Sequence, residues 1–295
     1  MKKTYLLAGI AILCWSTVAT TCKFLLNELN SIQLLWMNAL IAGAFLFIMN
    51  LYQGKLKAGY KFKDYLIMTC IGLPGTFFYY IFYYSATDIM PASQAFIINY
   101  MWPVMSVICA CFILKEKLTL RKIIAITVSF FGVIVVTGGS RNGIDIQTVN
   151  GAGLCIAGAV SYGIFTSLNQ KMNYDKSLTL MISYFFTFCI TTVINALNGA
   201  LFIPGISQIP FFLWNGIFTV AVATTCWITA LANGNTAKIS NRAYITPFLS
   251  CVWTRIFLKE EITLNALCGL VIIVLGIFIQ LKDKENSAEL KNDTE

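Results

Sequence analysis

Leu114-Lys115-Glu116-Lys117-Leu118-Thr119 recurs 144 residues later as Leu258-Lys259-Glu260-Glu261-Ile262-Thr263, and each copy lies between two long apolar runs. The recurrence extends on both sides. Without a gap, 85–136 aligns with 229–280, pairing Ala86 with Ala230, Tyr100 with Tyr244, Pro103 with Pro247, Ser106 with Ser250 and Gly132 with Gly276. Chance likeness between apolar helices rests on Leu, Ile and Val. A shared Tyr-x-x-Pro followed by Lys-Glu-x-x-Thr-Leu marks a duplicated unit.

The apolar runs fix the class. The chain has 295 residues, of which 58% are hydrophobic and 12% charged, with a mean hydropathy of +0.74. A soluble domain carries about 25% charged residues, so this chain has too little polar surface to coat a water-soluble globule. The runs are long enough as helices to cross about 30 Å of hydrocarbon. The first run, from Tyr5 to Leu26, starts like a signal peptide but lacks a small-residue cleavage site, and is expected to be a retained span. Nine of the ten cysteines lie inside apolar runs without a metal-ligand spacing, and there is no histidine. No metal or cofactor is expected. The net charge of +8 sits in short loops without a basic aromatic patch, so nucleic acid is not an expected partner.

Ten spans are expected: 4–26, 32–52, 64–86, 91–114, 120–138, 151–170, 178–200, 210–232, 238–258 and 264–281. With both termini cytoplasmic, 17 of the 21 Lys and Arg residues fall on the inner side, and only Lys23, Arg141, Arg255 and Lys259 on the outer. Cytoplasmic loops carry such an excess. The expected location is therefore the cell membrane, multi-pass, with both termini inside. The polar stretch 282–295 reads as a disordered cytoplasmic tail.

Each copy of the repeat belongs to a five-span unit, 1–138 and 151–281. Five is odd, so the second unit is expected to lie upside down relative to the first. The charges agree. Lys117 and Arg121 of the first copy are replaced by Glu261 and Asn265 in the second, which faces the other side. The fold class is thus an all-α integral membrane protein of ten helices in two inverted five-helix repeats. Such halves rock against a central site in transporters.

These features resemble the ten-span EamA branch of the drug/metabolite transporter superfamily over nearly the whole chain. The matching residues are Cys14-Trp15-Ser16-Thr17, the proline-bearing fourth and ninth spans, and Glu116 and Glu260 followed by Gly132 and Gly276. Asn99-Tyr100-Met101-Trp102-Pro103 and Ala243-Tyr244-Ile245-Thr246-Pro247 are similar to stretches of the aromatic amino-acid exporters of that branch. The resemblance implies a basket of helices. Spans 1, 3, 4, 6, 8 and 9 surround a cavity, spans 5 and 10 lie at the periphery, and amino acids or related metabolites move outward.

Polar and aromatic residues inside spans are the candidates for substrate contact: Trp15, Ser16, Tyr79, Tyr83, Asn99, Tyr100, Trp102, Tyr162, Trp227, Arg242 and Tyr244. A mid-membrane amide such as Asn99 needs a hydrogen-bond partner, and either a substrate or a neighbouring helix supplies one. Pro103 and Pro247 each free a carbonyl one turn earlier and are candidate bends. In span 3, Tyr79 and Tyr83 share one face and Tyr80 and Tyr84 another. One pair faces the cavity, while the other packs or sits in an interfacial aromatic belt. Arg242 either meets a substrate carboxylate or snorkels to the interface. Glu116 and Glu260 are expected to cap helices or pair with lysines.

Asp and Glu fall only at span ends, which argues against a carboxylate proton relay. The expected partners are a small-molecule substrate, foremost an amino acid, and the lipid bilayer. One chain suffices to build such a site, and the oligomeric state stays open. A sugar, a purine or a quaternary amine is the alternative cargo. A membrane enzyme or scaffold is the remaining class, and no cluster of catalytic side chains supports an enzyme.

Overall fold

The computed structural model describes residues 2–57, 59–138, 145–232, 239 and 242–292. All described regular structure is helical. Seven helices are long and apolar enough to cross a membrane: Lys3–Leu26, Ser31–Tyr52, Phe62–Ile89, Ala92–Ile113, Leu120–Thr137, Ile146–Lys171 and Lys176–Leu197. Shorter apolar helix covers Ile209–Val220 and Leu264–Ile279, and Thr246–Phe257 is helical within the ninth expected span. The protein is an all-α, multi-pass membrane protein. Lys238, Asn241 and Arg141 lie outside the described residues, as do the side chains of Thr225, Lys282, Lys284 and Lys291.

Two ends differ from expectation. Span 6 begins at Ile146 because the Asp145 carboxylate caps it, accepting from the Gln147 and Thr148 amides at 3.3 Å each. Helical backbone in span 10 runs on to Asn292 rather than ending at 281. Residues 282–292 contain neither Gly nor Pro and are rich in Lys, Glu, Ala and Leu, which favour helix.

Several spans are interrupted. Span 1 breaks at Thr17, between Lys2–Ser16 and Val18–Leu26. Span 3 loosens into a π-helical turn over Pro74–Phe78, and span 8 does so over Trp214–Val222. In span 4, Tyr100 and Met101 separate Ala92–Asn99 from Trp102–Ile113. In span 9 a 3-10 turn, Ala243–Ile245, precedes Thr246–Phe257. Each of the last two breaks precedes a proline, which has no N–H to continue the helix. Both Leu-Lys-Glu copies end their helix alike. Lys115 and Lys259 adopt φ of 59° and 56°, the only positive values outside glycine among the described residues. The amides of Glu116 and Glu260 reach back to the carbonyls of Ala110 and Thr254, both at 3.4 Å.

Spans 5 and 10 pack on each other through glycines. A Cβ on Gly132 would meet Ile273 Cγ1 at 2.7 Å and the Gly269 carbonyl oxygen at 2.9 Å; one on Gly276 would meet the Ala125 oxygen at 2.8 Å. The Ser129 hydroxyl donates to the Ile273 carbonyl at 3.5 Å. These contacts are reciprocal under the offset of 144, since 125, 129 and 132 match 269, 273 and 276. They also run antiparallel. Elsewhere span 6 packs on spans 3 and 4, span 1 on spans 8 and 9, and span 7 on spans 2 and 3.

The hairpin joining spans 3 and 4 is held by two opposite charges. The Lys23 ammonium donates to the carbonyls of Thr87 and Asp88 at 2.6 and 3.0 Å, at the C-terminus of one helix. The Glu260 carboxylate accepts the amides of Ala92 and Ser93 at 2.7 and 3.0 Å, at the N-terminus of the next. Each charge has the sign that its helix end favours. Lys23 is therefore docked on carbonyls rather than extended to the interface. Glu116 instead pairs with Lys122 at 3.0 Å.

Candidate functional site: a central aromatic cavity

The helix interruptions converge on a cavity of about 750 Å³. Spans 1, 2, 3, 4, 6, 7, 8 and 9 contribute to its wall. Exposed Gln170 and Lys176, with half-buried Glu116, lie at one end; buried Leu35, Tyr83, Tyr84 and Phe96 close the other. The cavity is thus open toward the face that carries Glu116 and Lys176, and sealed beneath the hairpin clamped by Lys23 and Glu260.

Ten candidates from the sequence line it: Trp15, Tyr79, Tyr83, Asn99, Tyr100, Trp102, Pro103, Tyr162, Trp227 and Tyr244. Their rings form two clusters. Tyr162 lies 4.9 Å from Tyr79 and 5.3 Å from Trp102, centroid to centroid, and Trp15 lies 5.4 Å from Trp227. The Asn99 amide donates to the Tyr79 hydroxyl at 2.8 Å, and its Oδ1 has no partner. The Trp15 indole donates to the Thr219 carbonyl at 3.0 Å, fixing that ring across spans 1 and 8.

Three candidates are placed elsewhere. The Ser16 hydroxyl donates to the Leu13 carbonyl at 2.8 Å and accepts the Trp253 indole at 2.9 Å, so it braces the break in span 1. Arg242 is exposed, its guanidinium 3.8 Å from the centroid of the Tyr5 ring. A cation–π contact holds it away from the cavity. Pro247 is buried in the first turn of Thr246–Phe257 and does not line the wall.

Both tyrosine faces of span 3 line the cavity, including Tyr83 and Tyr84, which are 1% and 3% exposed. Tyr83 and Tyr84 are therefore packed within the helix bundle and not in an interfacial belt.

Sequence reasoning missed Asn38, Asn215, Thr219 and Tyr184, all in the wall. The Asn38 amide donates to the Tyr84 hydroxyl at 2.9 Å and leaves Oδ1 without a partner. Asn215 accepts from the Thr21 hydroxyl at 2.6 Å. An amide inside an apolar run was the available signal, and it applied to Asn38 and Asn215 as well as to Asn99.

The chemistry offered is hydrogen bonding and aromatic contact. Each Asn–Tyr couple leaves at least one donor and one acceptor to a ligand, whichever way the amide is turned. Among the described residues, carboxylate and ammonium side chains occur in the wall only at the mouth, as Glu116 and Lys176. Among the described residues, no group of three His, Cys, Asp or Glu could hold a metal.

Comparison with known proteins gives the lineage. The model of the EamA-like transporter family matches twice, over residues 2–138 and 149–281. An uncharacterized transporter of Clostridium kluyveri is 26% identical over 312 residues, covering 99% of this chain and 97% of its own. The aromatic amino acid exporter YddG of Ancylobacter novellus is 25% identical over 186 residues, covering 61% of this chain and 63% of its own. A crystal structure matches with a TM-score of 0.64 at 20% identity, covering 95% of this chain and 96% of that one. With two matches that together span most of its length, the chain belongs to the EamA-like transporter family of the drug/metabolite transporter superfamily, whose members are membrane transporters and not enzymes.

Proposed function

We propose that the protein exports amino acids, or related small zwitterionic metabolites, across the cell membrane by alternating access. The observation that carries this reading is the cavity itself. Its deep wall is rich in Tyr, Trp and Asn and, among the described residues, has no carboxylate or ammonium side chain below the mouth. A zwitterion needs both donors and acceptors but no net countercharge, and the Asn99–Tyr79 and Asn38–Tyr84 couples offer both. Aromatic walls suit an apolar or aromatic side chain. The similarity to an aromatic amino acid exporter supports the same cargo class.

The reading takes the chain as ten spans in two inverted halves with cytoplasmic termini. The 17-to-4 division of Lys and Arg supports the orientation. The reciprocal contacts of Gly132 and Gly276 support the inversion. On that orientation the cavity opens to the cytoplasm, where an exporter loads. With Asp and Glu only at span ends there is no mid-span carboxylate to carry a proton, and the transporter moves substrate down the substrate's own gradient.

Radiolabelled flux into proteoliposomes, run over a panel of amino acids, tests the proposal. Saturable flux of neutral amino acids that an imposed pH gradient leaves unchanged is the expected result. Absence of flux for every amino acid would sink the cargo assignment, and uphill accumulation driven by a pH gradient would sink the uncoupled mechanism.

A further inference from the structure

Pro103 and Pro247 each remove the N–H that would bond the carbonyl four residues earlier. Those carbonyls belong to Asn99 and Ala243, which are equivalent under the offset of 144, as are Tyr100 and Tyr244. The Ala243 carbonyl accepts the Thr246 amide within its own 3-10 turn and a second hydrogen bond from the other half, from the Tyr100 hydroxyl at 2.7 Å. Inverted symmetry would run the reciprocal bond from the Tyr244 hydroxyl to the Asn99 carbonyl. Among the described residues that bond is not formed, and the Tyr244 ring lies instead against Phe278, 5.2 Å between centroids.

The halves differ elsewhere in the same one-sided way. Span 1 is broken at Thr17, whereas the first span of the second unit is the unbroken helix Ile146–Lys171. Among the described residues, the cavity reaches exposed ones at one end only. In an inverted repeat, a conformation held by one half on one side becomes available to the other half when the opposite side opens.

We propose that Tyr100 and Tyr244 are positioning residues that act in turn through the transport cycle. While the cavity opens toward Glu116 and Lys176, the Tyr100 hydroxyl bonds the Ala243 carbonyl, one turn before Pro247. When it opens toward Lys23 and Glu260, the Tyr244 hydroxyl bonds the Asn99 carbonyl, one turn before Pro103, and Tyr100 releases Ala243. A tyrosine hydroxyl that loses its partner inside a membrane is costly, and one cross-half bond in each state keeps the two states close in free energy. In the state described here the Tyr100 hydroxyl proton is committed to Ala243 and is not offered to substrate. The inference rests on the inverted-repeat reading above.

Tyr100→Phe and Tyr244→Phe remove one hydroxyl each and keep the ring. Two introduced-cysteine reporters follow the cavity in oriented vesicles treated with a membrane-impermeant maleimide: Ala110→Cys near the open end and Leu35→Cys near the sealed end. Labelling of the parent chain is subtracted as background. Ala110→Cys should label only from the cytoplasmic side and Leu35→Cys only from the outer side. Tyr100→Phe should slow the first and speed the second by about fivefold, the effect of losing one hydrogen bond. Tyr244→Phe should do the reverse, and the double variant should return toward the parent balance. If both single variants shift labelling in the same direction, or neither shifts it, while the reporters keep their sidedness, the exchange is overturned alone. If either reporter labels from both sides, the inverted-repeat reading falls and takes the exchange with it.

Discussion

Asn99 donates to the hydroxyl of Tyr79 at 2.8 Å, joining span 4 to span 3 at the depth where the aromatic rings converge. Truncating the amide removes this bond and the free Oδ1 together. Asn99→Ala should lower flux by about tenfold, corresponding to about 1.4 kcal/mol of lost binding. Tyr79→Phe, which keeps the ring, should lower it less. Proteoliposome flux alongside size-exclusion profiles separates lost transport from lost fold. Unchanged flux in Asn99→Ala would remove this couple from the site.

Trp102 faces Tyr162 across the cavity at 5.3 Å. Trp102→Ala opens that wall and should raise the half-saturating concentration for aromatic substrates about tenfold, since an aromatic pair is worth about 0.5–1.5 kcal/mol beyond its buried area. Small aliphatic substrates should be affected less. An equal loss for all substrates would point to a structural role for the ring.

Glu260 accepts two amides at the start of span 4 from the loop between spans 9 and 10. Glu260→Ala leaves both donors without that partner and should lower stability by about 1–3 kcal/mol. Glu260→Gln retains one acceptor oxygen and should cost less. Thermal unfolding in detergent reads the difference, and identical midpoints for Glu260→Ala and the parent would show that the cap contributes nothing.

Asp175 caps the helix Lys176–Leu197 through the Leu178 amide at 2.9 Å and pairs with Lys55 at 2.9 Å. Burial pushes its carboxyl pKa up, but the Leu178 amide and the Lys55 ammonium outweigh burial, and the pKa lies below the ordinary aspartate value. A depressed folded-state pKa contributes stability that is full above the unfolded value of about 3.9 and is lost as pH falls through the folded value. The parent protein should therefore unfold at a higher temperature than Asp175→Asn at pH 7, and the gap should close below about pH 4. A gap that does not change with pH would refute the assignment.

Gly276 has no room for a side chain against Ala125 and Ser129. Gly276→Val should destabilise the packing of spans 5 and 10 by about 1–3 kcal/mol. Because this seam lies away from the cavity, residual folded protein should keep its substrate preference. A changed preference would mean that the seam shapes the site.

Much of this was legible in the sequence, and for a definable reason. Runs of apolar residues, the prolines of spans 4 and 9 and the repeated Leu-Lys-Glu stretch are local signals, and local signals place helices, breaks and caps. Trp15, Asn99, Trp102 and Tyr162 stood out as polar or aromatic groups in mid-span. What stayed hidden was rotation. In lipid, the outer face of a helix is as apolar as its packed face, so periodicity does not tell which side of span 3 meets the cavity. Tyr83 and Tyr84 were ambiguous for that reason. Arg242 lies against Tyr5, some 240 residues away in sequence, and no local signal announces that pairing.

The seam between spans 5 and 10 has an ancestral consequence. Gly132 meets the region of residues 269–273, and Gly276 meets 125–129, so the surface is complementary to a copy of itself turned upside down. Self-complementary surfaces of this kind build two-fold dimers. A free-standing five-span ancestor, inserted in both orientations, would already have possessed this interface before any gene fusion. On the inverted-repeat reading proposed above, fusion would have fixed one orientation for each half and let the two diverge in charge, as at Lys117 and Glu261. Residues 1–138 and 145–295, produced together as separate polypeptides, would still meet along that seam.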